Sequence, residues 1–111
     1  MDEVERLLRL LALNDDESVR RALAADADRG ISEERLSDKV DLLVQLGALL
    51  ALGAATASLR RTVDRALDAG ASEAEIADVL ISVAPALGLA RVVAAAPRLA
   101  VALGYELGYD E

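Results

Sequence analysis

The sequence predicts an all-α protein, and its composition and its apolar spacing both support this fold class. Apolar residues make up 54% of the 111 residues, and most of them are alanine and leucine, which are strong helix formers. Aromatic residues make up only 2%, and β-branched residues other than valine are sparse. Apolar side chains recur at helical spacing along the chain. We therefore expect one compact bundle of about six helices.

An N-terminal helical extension is predicted for residues 1–35. Over residues 1–13 the large apolar residues are spaced three, one and three positions apart, which places them on one helical face. These residues are Val4, Leu7, Leu8 and Leu11. A second helix is expected over about residues 17–27, with Gly30 as its C-terminal stop and a polar connector over residues 31–35.

The main helical domain is predicted to span residues 36–104, beginning with a long apolar helix. Ser37 is expected to cap this third helix, which runs to about Leu52. From Leu42 onward the helix is apolar around almost its whole circumference. A soluble helix without a polar face must be covered on every side, so this pattern indicates burial in the domain and against further subunits.

Two shorter helices are expected to follow. Thr56 is the predicted cap of a fourth helix over about residues 57–69, and Gly70 is the predicted left-handed stop. Ser72 and Glu75 have the spacing of a capping box, in which the hydroxyl accepts from a backbone amide while the carboxylate accepts from the backbone of the cap residue. The pair predicts the start of a fifth helix.

Proline and glycine punctuate the last part of the chain. Pro85 and Gly88 predict a break or kink after the fifth helix. The final helix is expected over about residues 89–103, bent or divided by Pro97. Residues 105–111 are expected to form a short, loosely ordered acidic tail.

Charge and composition exclude several function classes. A net charge of −8 repels phosphate backbones, so no nucleic-acid partner is expected and a DNA-binding regulator is disfavoured. The apolar run over residues 79–104 contains Arg91, Arg98 and both prolines, so it predicts two buried helices and no membrane span. The acidic N-terminus differs from a signal peptide, and the absence of cysteine is compatible with a reducing cytoplasm, so a cytoplasmic location is expected.

Three segments resemble the carboxymuconolactone decarboxylase family, which includes the AhpD-type alkylhydroperoxidases. Residues 66–80, ALDAGASEAEIADVL, resemble the point at which the family ends one helix at Ala-Gly and opens the next with Ser or Thr before Glu-Ile. Residues 36–44 are similar to the start of the family's main helix, and residues 84–91 are similar to its glycine-centred break. The resemblance covers about residues 36–103 and implies an AhpD-like fold and a homotrimer or homohexamer.

The resemblance also implies where family chemistry would lie, and this chain departs from it at each position. Redox-active members have a Cys-x-x-Cys pair, a histidine four residues later, and a glutamate about a dozen residues before the pair. These positions correspond to Ala55 and Ser58, to Thr62, and to Leu42 or Leu43. The peroxidase mechanism needs a thiolate, and decarboxylase-type members use a histidine and a glutamate. We therefore expect no thiol peroxidase activity.

Ser58 and Thr62 are candidate pocket residues because they lie one helical turn apart at the family's redox positions. The functional interpretation is that they line a small polar pocket that orients a ligand. The alternative is two hydroxyls on a solvated helix face, which the absence of a neighbouring general base in the sequence favours.

Arg91 is the third candidate pocket residue, because it is a lone charge among apolar residues. Arg98 lies two turns further along the same helical face. The pair would suit a carboxylate or phosphate ligand. The alternatives are an ion pair with an acid such as Asp41 or Asp78, or extension of the head group into solvent.

The sequence thus predicts a non-redox oligomeric helical protein of this family, with itself as partner. No cofactor and no metal are expected, since histidine and cysteine are absent and the acidic segments lack calcium-loop spacing. The alternative is a small-molecule lyase, isomerase or hydroperoxidase of the same family that uses atypical residues, for which a small-molecule ligand is expected. An engineered oligomer scaffold also fits the joint absence of His, Cys, Phe and Trp.

Overall fold

The computed structural model describes residues 2–13, 15–27 and 35–106, and these residues form six α-helices and no strand. The chain divides into two compact units, Met1–Leu36 and Ser37–Glu111. The helices are α1 (Glu3–Leu11), α2 (Asp16–Ala27), α3 (Asp38–Leu52), α4 (Thr56–Asp68), α5 (Glu73–Leu87) and α6 (Leu89–Ala102). The all-α prediction is confirmed. The predicted stop at Gly30 and most of the predicted connector lie outside the described residues.

The N-terminal unit contains α1 and α2, each begun by an aspartate. The Asp2 carboxylate accepts a hydrogen bond from the Glu5 backbone N–H at 2.7 Å, and Asp15 accepts one from the Glu17 N–H at 3.3 Å. No residue of α1 is buried, and Val4 and Leu8 are more than half exposed. The predicted apolar face of α1 is therefore present and largely uncovered.

In the C-terminal unit, α3 forms the centre of the core. The Ser37 hydroxyl accepts from the Val40 N–H at 3.2 Å, which confirms the predicted cap. Leu42, Leu46 and Leu50 lie one turn apart and are buried in the core, where α3 packs against α4 and α5. The remaining core side chains are Leu59, Val63, Ala66, Ala71, Ile76, Leu80, Ala95, Leu99 and Ala102.

The start of α4 differs from the prediction, and the junction between α4 and α5 follows it. Thr56 is the first residue of α4, and the cap position is Ala55, which has no side chain able to accept a hydrogen bond, so the predicted Thr56 cap is wrong. Gly70 has the predicted positive φ, at 100°. Both hydrogen bonds of the capping box are present: the Glu75 N–H donates to the Ser72 hydroxyl, and the Ser72 N–H donates to the Glu75 carboxylate.

Neither proline ends a helix. Pro85 lies inside the last turn of α5, which continues to Leu87, and Pro97 lies within an undivided α6. Each proline removes the hydrogen bond to the carbonyl four residues earlier, and those carbonyls belong to exposed residues where water can replace the donor. The break falls at Gly88, whose φ of 87° ends α5 and starts α6.

The last helices are less buried than predicted, and of the predicted tail only Tyr105 and Glu106 lie within the described residues. Ile81, Leu89 and Val93 are each more than 60% exposed, so α5 and α6 are not two fully buried helices in the single chain. Tyr105 donates from its hydroxyl to the Glu73 carboxylate, which holds the first residue of the predicted tail against α5. No helix in the described part of the chain is long and apolar enough to cross a membrane.

Candidate functional site

The residues at the family's redox positions are divided between core and surface. Thr62 is buried in α4 next to the core residues Leu59 and Val63, and Leu42 is buried in α3. Ser58 and Ala55 are exposed. The predicted pair of hydroxyls is thus split, because the four-residue spacing places Thr62 nearer the core side of α4 than Ser58.

Arg91 belongs to α6, and its side chain lies against the C-terminal end of α3. Its Nη1 donates to the Ala51 carbonyl at 3.0 Å, and Arg98 Nη1 donates to the Gly53 carbonyl at 3.2 Å. The two side chains line a shallow depression of about 260 Å³ together with small residues of α6. Ser58 and Thr62 are not among its lining residues, so this depression does not bring the three candidate residues together.

These hydrogen bonds differ from the alternatives expected for Arg91. Neither Asp41 nor Asp78 forms an ion pair with it within the described ranges; the partner is a backbone carbonyl that α3 leaves without an intrahelical donor. A cation at a helix C-terminus also interacts favourably with the helix dipole. Arg60 also donates to a carbonyl near the end of a helix, that of Val101 in α6 at 2.8 Å, which accepts from the Gly104 N–H as well. All three arginines thus hydrogen-bond to backbone carbonyls at helix C-terminal ends.

A polar depression of about 420 Å³ lies where the start of α3 meets the end of α4. Three carboxylates and one guanidinium line it, with Leu42 at its base. The polar residues are Asp38, Asp41, Arg65 and Asp68. Among the described residues no group of three or more His, Cys, Asp or Glu is arranged to hold a metal ion.

An apolar groove of about 630 Å³ lies between α3 and α5, and sequence reasoning did not identify it. Small residues line it at helical spacing on α3, at Gly47, Ala48 and Ala51, and face Ser82 and Ala86 on α5. This stripe of small residues was the feature of the sequence that indicates the groove. It could not be distinguished there from the rest of an apolar helix. We call this surface the α3–α5 groove.

The α3–α5 groove has charged residues at one end only. Glu75 and Asp78 lie near the start of α5, and the Lys39 Nζ pairs with Glu75 at 3.1 Å. The hydrogen bond from the Ser72 backbone, assisted by Lys39, lowers the pKa of Glu75 below its ordinary value. Glu75 is therefore held as a paired carboxylate, while Asp78 has no ion-pair partner in the described part of the chain.

Comparison with known proteins assigns the family. The sequence model of the carboxymuconolactone decarboxylase family matches residues 16–100. The chain belongs to this family. The match begins in α2, earlier than the resemblance at residues 36–103 indicated, so the family region includes part of the N-terminal unit. Searches of curated proteins and of solved structures found no match.

Proposed function

We propose that this family member is a self-associating helical protein that acts without the family's thiol or histidine chemistry. The observation behind the proposal is the set of large apolar side chains left exposed on the C-terminal unit. Leu52 and Leu89 are each 80% exposed, Ile81 is 67% exposed and Val93 is 64% exposed. Leu89 and Val93 lie one turn apart on α6 and form the clearest stripe.

The chemical part of the proposal rests on the residue types. The 111 residues contain no cysteine and no histidine. Only a thiolate attacks a peroxide in the thiol mechanism, and the hydroxyls of Ser58 and Thr62 cannot replace it. Thr62 is buried, and so is Leu42, one of the two residues that correspond to the family's glutamate, which supports a structural role at these positions.

Self-association would cover the exposed stripe on α6. Exposed apolar patches larger than a few hundred Å² usually mark interfaces, and closed symmetry is the common arrangement of identical subunits. The family resemblance points to a trimer or a hexamer. The exposed end of α3 at Leu52 would extend the contact, in agreement with the expectation that α3 and the last helices meet other subunits.

Light scattering at micromolar concentration tests the assembly. We expect a mass of at least three subunits of 11.7 kDa. Val93→Glu should lower that mass, because it places a charge in the proposed contact. Ala57→Glu, at an exposed position of α4, is the matched control and should leave the mass unchanged. A wild-type mass of one subunit would refute the assembly.

A peroxidase assay tests the chemistry. With metals chelated, the purified protein should reduce an organic hydroperoxide no faster than buffer does, because it offers no thiolate. Turnover above the buffer rate that copurifies with the protein would contradict the proposal. It would favour the alternative, an enzyme of the same family that uses atypical residues.

The α3–α5 groove is the observation that favours this enzymatic alternative. A lyase or isomerase needs a group that moves a proton, and the Asp78 carboxylate at the groove is the available base. Carboxymuconolactone decarboxylation that is lost in Asp78→Asn and kept in Asp64→Asn would establish the alternative. Absence of turnover in the wild-type protein would exclude this reaction for it.

A further inference from the structure

The α3–α5 groove exists because small residues line both of its walls. The helices approach closely at Gly47, where an added Cβ would lie 3.2 Å from Cγ1 of Val83. Next to this contact, Ala48 is exposed on α3 and Ser82 is exposed on α5, and neither side chain is long enough to fill the space. The groove is therefore a property of the local helix packing.

The lining is apolar along most of the length of the groove. Its apolar side chains are Val40, Leu43, Val44, Val79, Val83 and Leu87. Pockets that bind small molecules have roughly this character: about 300–1,000 Å³, mostly apolar, with few polar groups. The volume of about 630 Å³ falls within this range.

The charge is confined to one end and is negative. The Lys39–Glu75 ion pair compensates Glu75, which leaves the exposed Asp78 carboxylate as the uncompensated charge among the described lining residues. The Ser82 hydroxyl lies one turn further along the same wall. A net charge of −8 adds a long-range attraction for cations over the whole surface.

From this geometry we infer that the α3–α5 groove binds a small molecule with an apolar body and a primary ammonium head group. The body lies along the valine and leucine walls, and the ammonium group pairs with Asp78 and donates to Ser82. Leu87 lies nine positions after Asp78 on α5. At 1.5 Å per residue this is roughly 14 Å, room for a medium-length alkyl chain. The inference does not depend on the proposed self-association.

Titration with three probes that differ only in head group tests the inference. Decylammonium, decanol and decanoate are added to the full-length protein below their aggregation concentrations, and binding is followed by amide NMR shifts. We expect chemical-shift changes at amides of both groove walls. Decylammonium should bind most tightly, decanol less tightly and decanoate least tightly. Decylammonium should bind about threefold to fivefold tighter than decanol, because an exposed ion pair contributes modestly. Equal affinities, tighter decanoate binding, or shifts confined to other surfaces would overturn the inference.

Two substitutions separate the head-group contact from the apolar contact. Asp78→Asn should make decylammonium and decanol bind equally, and Asp64→Asn on α4 should leave the preference intact. Ala48→Phe should fill the groove and weaken the binding of all three probes. Ala57→Phe, at an exposed position of α4, should leave their binding unchanged. The mass of Ala48→Phe by light scattering should equal that of the wild type. A lower mass would mean that the groove is a contact between copies of the chain and would overturn the ligand assignment.

Discussion

Replacement of Gly70 by valine tests the junction between α4 and α5. Gly70 has a φ of 100°, and no atom lies within 4 Å of a built Cβ, so the substitution meets no neighbour and its cost is conformational. A residue with a Cβ in a left-handed conformation costs about 1–2 kcal/mol, and a β-branched side chain is more restricted still. We therefore expect the free energy of unfolding to fall by at least about 1 kcal/mol. For a domain of this size that corresponds to a decrease in Tm of about 4–8 °C.

Urea denaturation followed by far-UV circular dichroism measures this change. Ala77→Val is the matched control, because Ala77 is exposed in the middle of α5 and should lose only about 0.5 kcal/mol of helix propensity. Each protein is measured at two concentrations, since self-association would stabilise the folded state by mass action. Equal midpoints for Gly70→Val and Ala77→Val would show that the junction does not require a positive φ, and the reasoning would fail.

Four further substitutions test the core, a candidate pocket residue and two surface carboxylate contacts. Leu46→Ala should cost about 2–5 kcal/mol in chemical denaturation, because Leu46 is fully buried; a loss below about 1 kcal/mol would mean that this site is not in the core. Thr62→Val should be neutral or stabilising within about 1 kcal/mol, since it replaces a buried hydroxyl among apolar neighbours; a large loss would indicate a polar role. The lowered pKa of Glu75 stabilises the fold above the ordinary glutamate pKa, so the stability advantage over Glu75→Gln should disappear as the pH falls through the lowered value. The hydrogen bond to Glu73 raises the pKa of Tyr105, so the wild type should lose its stability advantage over Tyr105→Phe as the pH rises through the raised pKa. In either titration, a stability difference that does not change with pH would contradict the contact assigned to that residue.

Helix ends were predictable wherever a local hydrogen-bonding motif fixes them. These motifs join groups that lie within a few residues of each other, so a short stretch of sequence contains both the donor and the acceptor. The examples are Ser37, Gly70 and the Ser72–Glu75 capping box. Thr56 fails as a predicted cap because the helix begins one residue earlier, at a position whose alanine side chain cannot accept a hydrogen bond. Pro97 fails as a divider because the carbonyl it leaves free belongs to an exposed residue.

Contacts between distant residues were not predictable from the sequence. Arg91 is forty residues from the Ala51 carbonyl, and no local pattern distinguishes this partner from an acidic side chain. The α3–α5 groove likewise depends on small residues of two helices, among them Gly47 and Ser82, lining the same surface. Such sites follow from helix packing, which the hydrophobic pattern restricts to a bundle but does not specify in register.

The positions at which the family places its redox chemistry explain how this chain keeps the fold without that chemistry. A thiolate or an imidazole near the core needs hydrogen-bonding partners and access to solvent, both of which cost stability in a small bundle. Here Leu42, Thr62 and Ser58 are at positions of that chemistry; Leu42 and Thr62 are buried, while Ser58 lies on the surface. Leu43, the alternative to Leu42 at the family's glutamate position, lines the α3–α5 groove, whereas Ser58 and Thr62 of α4 do not. Ligand chemistry in this groove would therefore use α5 in place of the redox positions on α4.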